Sequence, residues 1–313
     1  MNARLVIDDL PWSTTVPDDG QVRAALEDLR ELLALAGDRR LDVVAHDSLY
    51  ETAFMGGLTV NELLGPDIPR DLRVELLRRL SKVRRFPDDE IEGFDVCLPA
   101  GNRFTAPTVY WAATRPWTVG CLTPTISQRS GEISVDLCDN AAKKEPVSVF
   151  FVDALKGVAD LFRHAIVRER ANETEFQDLA PQAYPGLLFC ENALRGCRDL
   201  SKNFKARRDE LMLHLAVLND HGASIFALGL RQDIENQFRA HGIHISPENS
   251  ETLRDAKCLA ERPREVLGES IIFNWHSKIE PHIDRIYFHP PVPASEGRMI
   301  VGIIHRHLCL PGD

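Results

Sequence analysis

The chain lacks any continuous apolar run of about 18 residues, and its first residues carry neither a basic segment nor a long apolar stretch. The sequence therefore predicts no membrane span and no signal peptide, and we expect a cytoplasmic protein. It also lacks a net positive charge, since the formal net charge is −10 at pH 7. This charge argues against an exposed, nonspecific nucleic-acid binder, which usually presents a basic face, but it is compatible with a local basic pocket.

Several common functional motifs are also missing. The sequence has no phosphate-binding loop ending in Gly-Lys-Ser/Thr, no dinucleotide-binding glycine pattern, no His-Glu-x-x-His and no Gly-x-Ser-x-Gly. NTPases, Rossmann dehydrogenases, common metalloproteases and α/β-hydrolases are thus disfavoured, and no cofactor is expected. The seven cysteines include no Cys-x-x-Cys pair and are odd in number. They predict free thiols in a reducing cytosol.

Length and composition favour a folded protein with two domains. The chain has 313 residues, of which 44% are hydrophobic and 27% are charged. We expect an α+β fold, with a mixed α/β N-terminal domain over residues 1–171 that serves regulation or partner docking. A polar, acidic linker is predicted over 172–181. Residues 182–313 then form a helical segment and a C-terminal antiparallel sheet, the candidate active domain.

Local patterns predict the elements of the N-terminal domain. Apolar residues at helical spacing indicate helices at Gln21–Ala36, Arg70–Arg84 and Val147–Arg170. Short β-like runs separated by Pro, Gly and Ser favour an antiparallel meander; they are Thr108–Ala113, Thr118–Thr123 and Ile133–Leu137.

The stretch most suggestive of chemistry is Ile271–Leu308, which contains five of the chain's 11 histidines. Alternating apolar and polar residues predict three short strands joined by two turns. Side chains alternate between the faces of a strand, so a meander would collect one set of polar groups on a single face. The candidate catalytic residues of that face are His276, Lys278, Arg285, Tyr287, His305 and His307.

Three interpretations of these histidines stay open. A histidine on a half-buried strand often only hydrogen-bonds a neighbour. As acid–base groups, His276, His305 or His307 would exchange protons near neutral pH. As metal ligands, His305 and His307 would act together with further side chains, namely His276 or His289 and a carboxylate of Asp284 or Glu280.

The same stretch resembles the C-terminal sheet of the RelE/HigB-type toxin ribonucleases. The matching residues are Trp275, His276, Lys278, the run Arg285–Phe288 and the run Gly297–Val301. The sequence departs from that family because His305-Arg306-His307 replaces the usual trailing lysine pair, and because the chain is acidic. The resemblance implies an RNA-cleaving site that works without metal, in which cations hold the phosphate and an acid–base pair moves the protons.

The resulting first hypothesis is an intracellular toxin- or defence-type ribonuclease acting through the C-terminal sheet. The implied partners are RNA and a protein of a defence or toxin–antitoxin system, with no membrane. One alternative is a non-catalytic interaction subunit of a bacterial defence assembly. The other is a metal-dependent hydrolase with histidine ligands.

Overall fold

The computed structural model describes residues 3–91, 94–99, 101–138, 143–280 and 283–309. The chain divides into two compact units, Met1–Glu169 and Arg170–Asp313. Both units combine helices with sheets, and the antiparallel meander lies in the second unit. The predicted α+β fold class is therefore confirmed.

Unit 1 is built on a mixed sheet. Its strands are β1 (Leu5–Ile7), β2 (Val43–His46), β3 (Ala53–Met55), β4 (Leu58–Thr59), β5 (Arg84–Phe86), β6 (Asp95–Cys97), β7 (Arg103–Thr105), β8 (Gly120–Leu122), β9 (Gly131–Cys138) and β10 (Lys143–Val152). Strands β3 and β4 form a separate hairpin, and the large sheet has the order β5-β2-β1-β8-β10-β9-β6-β7. The first five strands of this order run parallel, and β9, β6 and β7 continue the sheet antiparallel.

The helices of unit 1 are α1 (Asp19–Asp38), α2 (Val60–Leu63), α3 (Arg70–Leu80), α4 (Pro107–Thr114) and α5 (Leu155–Arg168). Helix α1 begins with a capping box, in which the Asp18 carboxylate accepts the Gln21 N–H and the Gln21 side chain accepts the Asp18 N–H. A stripe of leucines at helical spacing buries its inner face, as the sequence predicted.

Two predictions for unit 1 are wrong. Thr108–Ala113 lies within helix α4, so the expected antiparallel meander does not form: β8 instead lies parallel to β1 and β10. Residues Val147–Val152 belong to strand β10, and the helix starts only at Leu155. The β-branched and aromatic residues of this run suit a buried strand, and helical periodicity alone did not distinguish the two.

Unit 2 contains helices α6 (Glu173–Ala183), α7 (Phe204–Phe226), α8 (Arg231–Ala240), α9 (Ser250–Arg254) and α10 (Ala256–Ala260). Its strands are β11 (Leu187–Phe189), β12 (Ile245–Pro247), β13 (Pro263–Val266), β14 (Glu269–Ile272), β15 (Trp275–Lys278), β16 (Asp284–His289) and β17 (Met299–Arg306). The main sheet has the order β11-β17-β16-β15-β12 and is antiparallel except for the β11–β17 pair.

The segment predicted as a linker is folded. Helix α6 covers it, because Asn172 and Glu175 form a capping box and Phe176, Leu179 and Ala180 bury one face of the helix. The polar residues that suggested a linker occupy the other face. Within the described ranges, no helix is both long enough and apolar enough to cross a membrane.

Candidate active site

The three C-terminal strands pair in the arrangement that the alternation suggested. Lys278 lies opposite Arg285, and Arg285 lies opposite His305. One step along the strands, His276 lies opposite Tyr287. Directly opposed residues of an antiparallel pair share a face, so these five side chains project from the same side of the sheet. His307 follows the end of β17, and its ring centre lies 6.3 Å from that of His276.

A second layer covers part of this face. It consists of the hairpin β13–β14, which turns at Leu267 and Gly268, and of the short helices α9 and α10. Both turn residues have positive φ, the conformation required for a tight two-residue hairpin loop. Val266 and Ile271 of the hairpin pack with Tyr287 and Ile303 in one apolar cluster. The hairpin thereby buries the middle of the predicted surface.

His276 and Tyr287 lie beneath this layer. The His276 Nδ1 atom lies 2.8 Å from a Glu248 carboxylate oxygen, and Nε2 lies 3.1 Å from the Ser246 hydroxyl. Burial lowers the pKa of His276, and the neighbouring Glu248 carboxylate partly opposes that shift. Tyr287 is fully buried, its hydroxyl accepts the Leu308 N–H, and burial raises its pKa to about 12. The burial and the hydrogen bonds of both side chains indicate a structural role.

A buried ion pair fixes this layer to the sheet. Arg262 is fully buried, and its guanidinium donates to Glu248 at 2.6 Å and lies over the Tyr287 ring. It also donates to the backbone oxygens of Cys258 and Cys309. Pairing of its donors stabilises a buried arginine, and here the acceptors for its two Nη atoms come from three segments of unit 2, those of Glu248, Cys258 and Cys309.

His305 and His307 lie at the exposed end of the face. Together with Arg264 and Glu261 they line a groove of about 390 Å³, which we call the histidine groove. Arg264 and His305 also line an adjoining cavity of about 340 Å³ that contains Arg195 and Arg198. The His305 side chain is 41% exposed. The groove therefore combines two imidazoles with one arginine and one carboxylate, and the adjoining cavity adds two arginines.

The hydrogen bonds of the two histidines define their tautomers. The His305 Nδ1 atom lies 3.0 Å from the backbone oxygen of Arg306, and the His307 Nδ1 atom lies 2.8 Å from that of Leu308. A carbonyl oxygen can only accept, so each Nδ1 carries the hydrogen. In a neutral imidazole the lone pair is then on Nε2. Each ring is anchored through one nitrogen, while the other is available for proton transfer.

Lys278 and Arg285 line a different cavity, of about 490 Å³, with His214 and His244. Five of the six predicted residues thus share a sheet face, and the six do not converge in one pocket. The histidine groove takes two of them, the cavity takes two more, and His276 and Tyr287 are buried between other groups. The hairpin covers Tyr287, whereas the cavity is walled by α7 and the turn before β12.

The cysteines differ from the prediction. Cys97 is joined to Cys138, and Cys258 to Cys309, as disulfides, so the expectation of free thiols is wrong for these four. Cys121, Cys190 and Cys197 are free and buried. Sequence spacing gave no indication of the pairs, because their partners lie 41 and 51 residues apart. The Cys258–Cys309 bond joins α10 to the segment that follows β17, at the wall of the histidine groove.

The metal-site interpretation finds no support at His305 and His307. In the part of the chain that the structure describes, one group of side chains has the spacing of a metal site, and it consists of Asp255, Cys258 and Cys309. That group already contains the disulfide.

Unit 1 places two carboxylates, Asp8 and Asp9, directly after β1, and both have structural partners. Asp8 pairs with Arg129 at 2.5 Å. Asp9 accepts the backbone N–H groups of Thr108 and Val109, so it caps the start of α4 from a distant part of the sequence. Burial raises the pKa of Asp9 to about 7. Both carboxylates therefore have partners within the protein, and their burial is explained without a bound ligand.

Sequence reasoning missed Arg264 at the groove, Glu248 beside the buried His276, and His214 and His244 at the cavity. All four lie outside the stretch Ile271–Leu308, and only the tertiary fold brings them to it. Arg264 sits in a hairpin whose Leu-Gly turn does not match the usual Asn-Gly signal. No protein-family model, curated protein or solved structure matches the chain.

Proposed function

We propose that unit 2 is a metal-independent ribonuclease whose catalytic residues are His305 and His307. The observation that carries the proposal is the pair of imidazoles in one groove, each anchored through Nδ1 to a backbone oxygen and each with Nε2 available. Cleavage of RNA through its own 2′-hydroxyl requires one base, one acid and a cation near the phosphate. The histidine groove contains residues of all three kinds.

The reaction balances without a cofactor. A neutral imidazole takes the proton of the 2′-hydroxyl, and the 2′-oxygen attacks the adjacent phosphorus. The bond from phosphorus to the 5′-oxygen then breaks, and a protonated imidazole donates its proton to that oxygen. The products are a 2′,3′-cyclic phosphate and a free 5′-hydroxyl, and the two histidines have exchanged protonation states.

The surroundings suggest which histidine has which role. The His305 Nε2 atom lies 3.9 Å from a carboxylate oxygen of Asp199, an attractive pair when His305 is charged. We therefore assign His305 as the acid and His307 as the base. Arg264 donates through Nη1 to the backbone oxygens of Glu261 and Pro263, which hold the guanidinium in place. Its remaining donors are suited to the phosphate and to the charge that develops on it.

The first test compares cleavage of labelled single-stranded RNA by the wild type and by His305→Ala and His307→Ala, all with EDTA. We expect each variant to lose at least about 100-fold in rate, the usual range for a general acid or base. His289→Ala is the matched control, because the His289 Nδ1 atom also lies near a backbone oxygen, that of Pro290, but the residue does not line the groove. Full activity in both test variants would contradict the assignment.

A second candidate function is that of a non-catalytic interaction subunit of a bacterial defence assembly. The observation that favours it is the burial of His276, Arg285 and Tyr287. These are three of the six predicted catalytic residues, and they contact other protein groups and little solvent. A folded wild type that cleaves no RNA, but that co-purifies with one protein in a fixed ratio, would favour this function over the ribonuclease.

A further inference from the structure

The cavity lined by Lys278 and Arg285 is separate from the histidine groove and has no role in the cleavage chemistry above. It lies where α7, the turn before β12, and the end of β15 meet. Its volume, about 490 Å³, falls within the range of sites that hold small organic molecules. Its lining includes apolar groups, Leu213 and Ile279, next to the polar ones.

The charged lining of the cavity is mostly positive. Lys278 is half-buried, and within the described ranges its ammonium group has no ion-pair partner. The carboxylate in the lining, Glu210, is 2.7 Å from Arg207, a guanidinium that it shares with Glu280 and Asp284. Glu210 therefore already has a cationic partner. The two cations of the lining have no ion-pair partner among the lining residues, while the carboxylates of Glu248 and Asp284 attract Arg285 from outside the lining.

Arg285 is the second cation of the cavity lining. Only 3% of its surface is exposed, and its Nη1 atom donates to the backbone oxygens of Glu280 and Asp284. Its Nε atom is buried and finds no acceptor among the described residues. The buried Nε atoms of Arg4, Arg207 and Arg262 share this feature, so the unused donor does not by itself indicate a ligand, and Arg285 contributes as a cation at the wall of the cavity.

His214 and His244 complete the polar lining. His214 is buried, its Nδ1 atom lies 2.5 Å from the Ser277 hydroxyl, and burial lowers its pKa to about 4. It is therefore neutral at physiological pH and contributes a polar group without a charge. His244 is exposed at the rim. The cavity thus offers two cations at one place, and neutral polar and apolar contacts around them.

We propose that this cavity binds a small phosphomonoester, with Lys278 and Arg285 holding its phosphate and Leu213 and Ile279 contacting its organic part. A planar guanidinium matches the oxygen spacing of a phosphate, and a lysine ammonium adds a point charge. Bare phosphate would leave most of the volume unfilled, which is why the proposal requires an organic group. The proposal does not depend on the ribonuclease activity.

The test measures binding of four probes to the full-length protein by calorimetry at low salt: AMP, adenosine, inorganic phosphate and succinate. We expect AMP to bind at least tenfold more tightly than adenosine or phosphate, because it alone provides both parts of the ligand. Lys278→Gln should weaken AMP binding about tenfold or more. Lys205→Gln is the matched control, since Lys205 is an exposed lysine on α7 outside the cavity lining. It should bind AMP as the wild type does.

Arg285 is buried, so the conservative Arg285→Lys is the second variant. Its unfolding transition is first compared with that of the wild type to show that it folds. Its affinity for AMP is then measured. Weaker AMP binding in this folded variant supports the proposal. Absence of AMP binding by the wild type, tighter binding of succinate than of AMP, or unchanged AMP affinity in Lys278→Gln would overturn it. RNA cleavage by Lys278→Gln is measured in parallel. Unchanged cleavage with lost AMP binding would show that the two sites act separately.

Discussion

At the scale of the residue, the histidines of unit 2 differ by burial and by the partner of each ring nitrogen. His276 and His214 are buried, and burial lowers the pKa of both. His305 and His307 remain accessible, and each leaves Nε2 for a substrate. The sequence shows the residue type and the strand alternation, so it located the sheet face. Only the packing of the covering hairpin determines which imidazoles reach solvent.

The lowered pKa of His214 predicts a pH dependence of stability. In the unfolded chain this histidine takes up a proton near its ordinary pKa of 6.5, whereas in the folded protein it does so only near pH 4. Between these values the unfolded state binds more protons, so the free energy of unfolding falls as the pH is lowered. Urea unfolding at a series of pH values should show this fall, and His214→Gln should reduce it.

The control for this prediction is His221→Gln, at an exposed position of the same helix. It should leave the slope of stability against pH close to that of the wild type. An equally steep slope in His214→Gln would show that other groups cause the loss of stability at low pH.

Among the helices and strands, the sequence best predicted those whose own residues show a regular hydrophobic pattern. Strands β15 to β17 alternate clearly, and the stripe of α1 is regular. Helix α4 was missed because its start is capped by Asp9, nearly a hundred residues earlier in the chain, which no local window contains. The groove wall was missed for the same reason, since hairpin β13–β14 acquires its position from packing on Tyr287.

The 3-10 segment Leu194–Asp199 packs unusually close to β17. A Cβ atom added at Gly196 would lie 1.8 Å from the backbone oxygen of Ile304. We expect Gly196→Ala to push this segment off the strand and to lower the free energy of unfolding by about 1–3 kcal/mol or more, as for other overpacked sites. Because the segment lines the cavity next to His305, RNA cleavage should also slow.

Gly37→Ala is the comparison for that variant. Its added Cβ would be 3.8 Å from the nearest atom, and Gly37 lies in the last turn of α1, where alanine is favoured. Chemical denaturation should show this variant to be as stable as the wild type or slightly more so. If Gly196→Ala were equally harmless, the close packing against β17 would be disproved.

The disulfide Cys258–Cys309 fixes another wall of the groove. A crosslink across a loop of this length stabilises a folded domain by about 2–4 kcal/mol, so Cys258→Ser should lower the unfolding transition of unit 2. We also expect slower RNA cleavage, because Cys309 follows His307 and Leu308 directly. Cys190→Ser, at a buried free cysteine, is the control. A reducing agent should lower the stability of the wild type more than it lowers the stability of Cys258→Ser.

At the scale of the whole molecule, an acidic chain must concentrate its positive charge to bind RNA. The net charge of −10 would repel a polyanion at long range, so the RNA binding we propose would depend on the arginines beside His305 and on low-to-moderate salt. Composition was compatible with a local basic pocket but predicted neither its presence nor its position. The arginines concerned lie in separate segments of unit 2, which only folding brings together.

Acid–base catalysis by His305 and His307 can be tested with one defined RNA strand in the presence of EDTA. A strand of identical sequence that carries 2′-O-methyl groups throughout serves as the comparison. We expect purified wild-type protein to cleave the first strand, leaving 2′,3′-cyclic phosphate ends, and to leave the second intact, because methylation removes the attacking hydroxyl. Cleavage of both strands, or cleavage that requires a metal ion, would contradict acid–base catalysis by His305 and His307.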